Sequence, residues 1–355
     1  MKKQIFFIAA AAIILSSCSG DGLGEAGNGN AIGFRVAMDE TFASRSTETT
    51  TDNLKKFNVT AIYDNSLYFK DVIFSKGSGD SYNSNFEYLW PGSRNVDFYA
   101  YSYFSNGDEN EIDSSKLGTV SISATEQIIS GFTPEAAIAD QIDPVTAYAQ
   151  GNRTLYEDSG VPLTFRHILS QIQIKAKNTN KVYKFEIKAA KIANVNSVGG
   201  TWDIKTSSWT QPKTNILATY TYNLPEPVEL TAKDEEVDIM TGTNSAMLLP
   251  QQLTAWDRTK VTDSTTGAYL AVLLRITTTA TGALVYPPAN VKDEFGWALV
   301  PINTKWDNNR YIYTLDFSNG AGYDENGVLI LSGPILCSTT VTGWEEAPNS
   351  DIDFN

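Results

Sequence analysis

Hydrophobic and polar residues alternate along most of this chain, and the alternation begins early. Ile32, Phe34, Val36 and Met38 are separated by Gly33, Arg35 and Ala37. A period of two places the first set on one face and predicts a half-buried β-strand over 31–38. Two more strands are predicted over 54–63 and 67–74, joined as a hairpin around Asp64-Asn65-Ser66. Trp90-Pro91-Gly92 is a turn signal that leads into 96–104, a strand with aromatic residues on both faces. Short strands follow over 119–123, 146–149 and 161–165.

The second half repeats the style. Ile172, Ile174 and Ala176 alternate with polar partners over 171–177, and Phe185 with Ile187 continues the pattern. Residues 199–209 predict a hairpin that pairs Trp202 with Trp209. Further strands are expected over 246–251, 269–277, 296–301, 310–317 and 335–341, that over 269–277 being apolar enough to be buried on both faces. Strands at this density, with few helical periods, predict an all-β protein of two antiparallel β-sandwich domains in tandem. The expected domains are 31–155 and 156–355.

The residues before the first strand have a different character. Lys2 and Lys3 precede an apolar run over 5–15 that is too short to span a bilayer and has the length of a signal-peptide core. It ends in Leu15-Ser16-Ser17-Cys18, the pattern of bacterial lipoprotein processing. Residues 1–17 are therefore expected to be a lipoprotein signal peptide, with Cys18 as the mature N-terminus carrying diacylglycerol and an acyl chain. Two or more chains give stable anchoring. Residues 18–30 are rich in Gly, Asn and acidic residues and are expected to be a flexible tether. Gly22, Gly24 and Gly27 spell the dinucleotide fingerprint, but no strand precedes them and no βαβ unit follows. A polar connector over 39–52 then holds Arg45, either a solvated loop arginine or a site for a trypsin-like protease.

Charge and composition narrow the partners. The formal net charge is -14 over 355 residues, which opposes binding to nucleic acid. Aromatic residues make up 11% and include 17 Tyr, interleaved with Thr, Val and Ile as in β structure. The only cysteines are Cys18 and Cys337. With the first assigned to lipid, no disulfide framework is available and stability falls to the apolar cores. Cys337, in an alternating run, is expected to be a small buried hydrophobe.

Candidate chemistry is sparse. The acidic stretch 106–113 lacks the ligand spacing of a calcium loop and is expected to be solvated. His167 is the sole histidine, beside a strand, where a structural hydrogen bond is expected. GxSxG, HExxH and paired cysteine ligands are absent, so no enzyme activity and no cofactor are expected. Trp202, Trp209, Trp256 and Trp306 belong either in sandwich cores or on sugar-stacking platforms.

Five segments carry a family resemblance. They are Tyr88-Leu89-Trp90-Pro91 followed by Phe98-Tyr99-Ala100-Tyr101-Ser102-Tyr103, then Leu163-Thr164-Phe165-Arg166-His167-Ile168-Leu169-Ser170, then Leu248-Leu249-Pro250-Gln251. Trp306-Asp307 with Tyr311-Ile312-Tyr313-Thr314-Leu315, and Val341-Thr342-Gly343-Trp344, complete the set. In order and spacing they resemble the fimbrillin (Mfa-like) lipoproteins of Bacteroidales.

The resemblance implies a type V pilin or pilus-associated adhesin with two transthyretin-like domains. It further implies export as an outer-membrane lipoprotein, maturation by an arginine-specific protease, and assembly with other pilin subunits at the cell surface or in a pilus. Cleavage in that family removes the lipid and the first strand and opens a groove for a neighbour's strand. Carried onto this chain, the lipidated residue is Cys18, the removable strand is Ile32, Phe34, Val36 and Met38, and the processing site is Arg45. The donor strand is expected near the C-terminus, where Ile335, Cys337, Thr339 and Val341 alternate with Leu336, Ser338 and Thr340. The ending over 345–355 is acidic, with only Ile352 and Phe354 as apolar anchors. The alternative is a surface glycan-binding lipoprotein that meets host or bacterial ligands and does not polymerise.

Overall fold

The structure, a computed structural model, describes residues 31–38, 49–79, 81–104, 112–260, 267–289 and 294–343. Cys18, the tether, Arg45, Trp344 and the acidic ending lie outside the described residues, as does 106–111.

The N-terminal half contains β1 (Phe34–Met38), β2 (Lys56–Tyr63), β3 (Ser66–Lys76), β4 (Ser81–Asn83) and β5 (Val96–Phe104). A short hairpin of β6 (Thr119–Ile122) and β7 (Gln127–Ser130) precedes β8 (Asp143–Gly151) and β9 (Val161–His167). The hairpin expected between β2 and β3 forms as predicted. Asp64 and Asn65 both take positive φ, 53° and 58°, a left-handed pair that these two residue types tolerate and whose twist matches that of the flanking strands.

These strands close on themselves in the order β1-β4-β3-β2-β5-β8-β9. The ring is completed by β1, which runs parallel to β9 from Phe34↔Val161 to Met38↔Phe165 and antiparallel to β4 through Phe34↔Tyr82. Closure removes the free edges of the sheet. Inside, β9 alternates without a break: Val161, Leu163, Phe165 and His167 are buried, while Pro162, Thr164 and Arg166 are exposed. β9 is thus a barrel strand although it lies beyond residue 155.

The second half begins with β10 (Ser170–Asn178), β11 (Tyr183–Asn196), β12 (Thr201–Asp203), β13 (Ser208–Thr210), β14 (Leu217–Leu230) and β15 (Lys233–Met240). It continues with β16 (Ala246–Leu248), β17 (Gln251–Gln252), β18 (Tyr269–Thr278), β19 (Leu284–Tyr286), β20 (Gly296–Pro301), β21 (Lys305–Trp306), β22 (Arg310–Asp316) and β23 (Leu336–Thr342). One sheet has the order β15-β10-β22-β23 with β16 on β10; the other has β14-β11-β18-β19 with β20 on β18. Ile172 and Ile174 of the first and Ile187, Ile192, Val272 and Leu274 of the second share one buried cluster, so the two sheets pack face to face as a sandwich. The fold is all-β and mostly antiparallel, with β1–β9 and β10–β22 as parallel pairs.

A third cluster joins the halves. Tyr99 and Tyr101 from the outside of the barrel meet Ile168, Leu169, Trp202, Met247 and Leu249. The expected hairpin pairs Trp202 with Trp209, and both indole N–H groups reach across the joint. Trp202 Nε1 donates to Thr146 Oγ1 at 3.0 Å and Trp209 Nε1 to the Ile168 carbonyl at 2.6 Å. β14 and β15 were not evident as strands in the sequence, because Pro225 and Pro227 interrupt the first and Lys233, Asp234, Glu235 and Glu236 crowd the second.

Candidate assembly interface

The expected removable strand is a core element of the barrel. Ile32, Phe34 and Met38 are buried and Val36 packs against the same cluster, whereas Arg35 and Ala37 face outward. Phe34 is 1% exposed. Its ring lies edge-on to Phe74 at 4.7 Å, Phe98 at 5.2 Å and Phe57 at 6.0 Å, the T-shaped arrangement aromatic quadrupoles favour. Upstream of the strand, Ile32 N–H donates to the Tyr88 carbonyl and Val161 N–H donates to that of Gly33. Gly160 sits beside this contact with φ +70°, and a Cβ there would meet the Gly33 carbonyl oxygen at 3.3 Å.

Residues 39–48 lie outside the described residues, and on their far side the chain is fixed. Thr49 N–H donates to Asp143 Oδ2 at 2.6 Å, its hydroxyl donates to the Asp143 carbonyl at 2.6 Å, and Phe104 N–H donates to that hydroxyl at 3.0 Å. The fully buried Asp143 carboxylate also meets His167 Nδ1 at 2.8 Å. His167 therefore has the structural role expected of it: with Asp143 of β8 it holds Thr49, just after the connector, against the barrel. Thr49 and Asp143 had no sequence signal, since the contact joins residues 94 positions apart that belong to no local pattern.

The expected donor segment is placed in the opposite situation. β23 ends its sheet, pairing antiparallel with β22 from Leu336↔Asp316 to Thr342↔Arg310; no described strand lies on its other side. Ile335 is buried and Cys337 half-buried against the sandwich core, but Thr339 and Val341 on the same face are exposed, as is Leu336. Cys337 is a free thiol whose pKa burial pushes up to about 11, so at neutral pH it is a weak nucleophile.

Two other edges of the sandwich, β15 and β14, are guarded. β15 presents Asp234, Glu236 and Asp238 to Lys175 and Lys177 on β10, with ion-pair distances of 2.7 Å for Lys177–Asp234 and 3.3 Å for Lys175–Glu236. β14 carries Pro225 and Pro227. Charge and proline are the ordinary devices against edge-to-edge pairing. β23 has neither: its sequence is Leu-Cys-Ser-Thr-Thr-Val-Thr.

The fimbrillin-like family model matches residues 38–344. The chain belongs to the fimbrillin-like family. As a fimbrillin-like chain it is a structural protein and not an enzyme. No curated protein matches it. Among solved structures it is similar to a candidate cell adhesion protein from Bacteroides ovatus, at 15% identity, with 89% of this chain and 98% of that one covered and a TM-score of 0.48. The fimbrial anchor protein Mfa2 from Porphyromonas gingivalis aligns at 12% identity over 88% and 98%, TM-score 0.33. A fimbrial assembly protein from Parabacteroides distasonis aligns at 10% identity over 88% and 98%, TM-score 0.37.

The tryptophans settle into core roles for the most part. Trp202, Trp256 and Trp306 are buried, and only Trp209 of the four is half-buried, so no shared platform of exposed rings exists among them. At the end of the acidic stretch, Asp113 accepts from Ser115 N–H and Oγ at 2.9 and 2.6 Å. Those hydrogen bonds lower its carboxyl pKa and give it the work of capping a helical turn over Ser114–Leu117.

Proposed function

We propose that this protein is a pilin or pilus-associated adhesin subunit of a surface fimbria, assembled by exchange of β-strands between copies. The observation that carries this reading is β1. It is short, it closes the barrel by a parallel ladder, and its apolar face fills the core, while Arg45 lies between it and the Thr49 anchor. A cut at Arg45 separates β1 from the chain with Thr49, Asp143 and His167 still holding the barrel behind it. Loss of the strand bares the β9 backbone and the pocket lined by Phe57, Phe74 and Phe98, which together favour addition of an alternating strand. Before the cut, β1 occupies that place and prevents premature assembly.

The donor in this reading comes from the C-terminal region that includes Ile335, Cys337, Thr339 and Val341, and two units, the barrel that ends with β9 and the sandwich that begins with β10, lie along the filament. Cys18 is the lipid attachment site and residues 1–17 are its signal, which delivers the subunit to the outer membrane before it joins a surface structure. A head-to-tail contact of this kind does not close on itself and grows a filament.

The test is limited digestion of the chain lacking the signal and Cys18 by an arginine-specific protease, followed by N-terminal sequencing and size analysis. The expected result is a new N-terminus at Ser46, loss of the peptide containing β1, and ladders that resist SDS. A chain that stays uncut at Arg45, or stays monomeric after the cut, rejects strand exchange by this subunit.

A further inference from the structure

At the joint between barrel and sandwich lies a pocket of about 570 Å³. Five pieces of chain build it: the end of β11 with Asn196, the β12–β13 hairpin with Trp209, the segment after it with Asn215, β17 with Gln251, and the β21 turn with Asp307 and Asn308. Two tryptophans, the half-buried Trp209 and the buried Trp306, stand among amides and hydroxyls, and the charged pair, Lys305 with Asp307, is closed at 2.8 Å.

The aromatic wall is fixed in advance. The Trp209 indole N–H is held by the Ile168 carbonyl, its ring packs on Trp202 at 5.6 Å, and Gly199 lies so close that a Cβ there would meet Trp209 Cζ3 at 3.0 Å. The floor is fixed as well. Gln251 is 8% exposed; its Oε1 accepts from Asn196 N–H at 2.8 Å and its Nε2 donates to the carbonyls of Leu249 and Asn196 at 3.0 and 3.2 Å. A ligand entering this site orders few protein groups, which lowers the entropic cost of binding. The rim differs: Ser208, Asn215 and Asp307 are exposed and face the opening.

We propose that this pocket binds a neutral saccharide, with Trp209 stacking against the sugar ring and Asn215, Asp307 and Asn308 meeting its hydroxyls. An aromatic face beside amides and a carboxylate matches the alternating C–H and O–H surfaces of a pyranose. The volume falls in the range of small-ligand sites and the closed ion pair leaves no net positive charge to recruit an anion. A larger groove of about 870 Å³ lined by Lys184, Glu186, Glu229 and Arg275 lacks this character, since Arg275 is already bidentate on Glu186 and Lys184 pairs with Glu229. The saccharide site is independent of strand exchange and gives the subunit a means of attachment whether or not it polymerises.

The experiment is saturation-transfer-difference NMR and tryptophan fluorescence titration of the full-length protein. The probes are the methyl glycosides of glucose, galactose, mannose, fucose and N-acetylglucosamine, with lactose as a disaccharide and sialic acid as the charged comparison. At least one neutral probe is expected to show saturation of its ring C–H protons and to shift Trp fluorescence. Asn215→Ala is expected to weaken that probe about fivefold and Asp307→Ala about tenfold, the scale of one neutral and one charge-assisted hydrogen bond. Both side chains are exposed, and the Asp307 contacts that hold the turn are made by its backbone, with Ser170 Oγ and Tyr311 Oη, so both variants fold. Lys181→Ala in the larger groove leaves binding unchanged. Silence from every neutral probe, undiminished binding in the Asn215→Ala/Asp307→Ala double variant, or tighter binding of sialic acid overturns the proposal.

Discussion

β1 and β23 are short strands of five and seven residues with apolar residues on one face, Phe34, Val36 and Met38 in the first and Cys337 and Val341 in the second, and they have opposite structural fates. β1 has neighbours on both sides, β4 and β9, and its apolar face fills a pocket of aromatic rings. β23 has β22 alone, and the C-terminal half of its face, Thr339 and Val341, is exposed. The period of two fixes which residues share a face, but only the presence of an opposing layer makes that face a core. One strand is bound by packing and the other mainly by a single ladder. That asymmetry is what a subunit needs if one strand is to block a groove and another is to be free to leave its place.

The largest test of the contrast is Phe34→Ala. Emptying the site between Phe57, Phe74 and Phe98 is expected to destabilise the barrel by about 3–5 kcal/mol, read as a fall in the denaturant midpoint; a change under about 1 kcal/mol would show that β1 is not a core strand. Next comes Cys337. With its pKa raised to about 11 by burial, the thiolate is scarce below that pH. At pH 8 its alkylation is expected to run about two orders of magnitude slower than that of a free thiol of ordinary pKa. If assembly releases β23, the ordinary rate returns, whereas raising the pH toward 11 restores it in the intact fold. Fast labelling of the uncut monomer would mean that β23 is already detached.

Gly160→Ala is expected to cost about 1–2 kcal/mol, since the new side chain must sit at positive φ and press on the Gly33 carbonyl. The loss should appear first as faster hydrogen exchange along the β1–β9 ladder, and equal protection there would remove the role given to Gly160. Val341→Lys is the smallest effect. On an exposed edge it is expected to change stability by less than about 0.5 kcal/mol while giving that edge a guarding charge, as the carboxylates do for β15. If β23 takes part in subunit contacts, ladder formation after protease treatment falls; unchanged ladders would move the contact elsewhere.

Much of this was legible along the chain. The alternation at Ile32 to Met38, the Asp64-Asn65 turn and the Trp202–Trp209 hairpin are local, because side-chain periodicity and left-handed turn residues act over a few positions. β14 and β15 were hidden because they are edge strands, and an edge is written in proline and charge rather than in apolar alternation. The pocket beside Trp209 was invisible for another reason: its walls come from residues 209, 215, 251 and 307, which no local pattern groups together.

The sequence by itself therefore determined the class of fold, the face of each interior strand and the absence of recognised catalytic motifs, since each follows from short-range pattern. The tertiary structure decided that β1 closes a barrel by pairing in parallel with β9. It also decided that Asp143 and His167 hold Thr49, and that Trp202, Trp256 and Trp306 are buried while Trp209 is half-buried at a pocket. Parallel pairing joins strands far apart in the chain, and burial depends on what packs opposite. Neither quantity is carried by neighbouring residues, so both were settled only when the sheets came together.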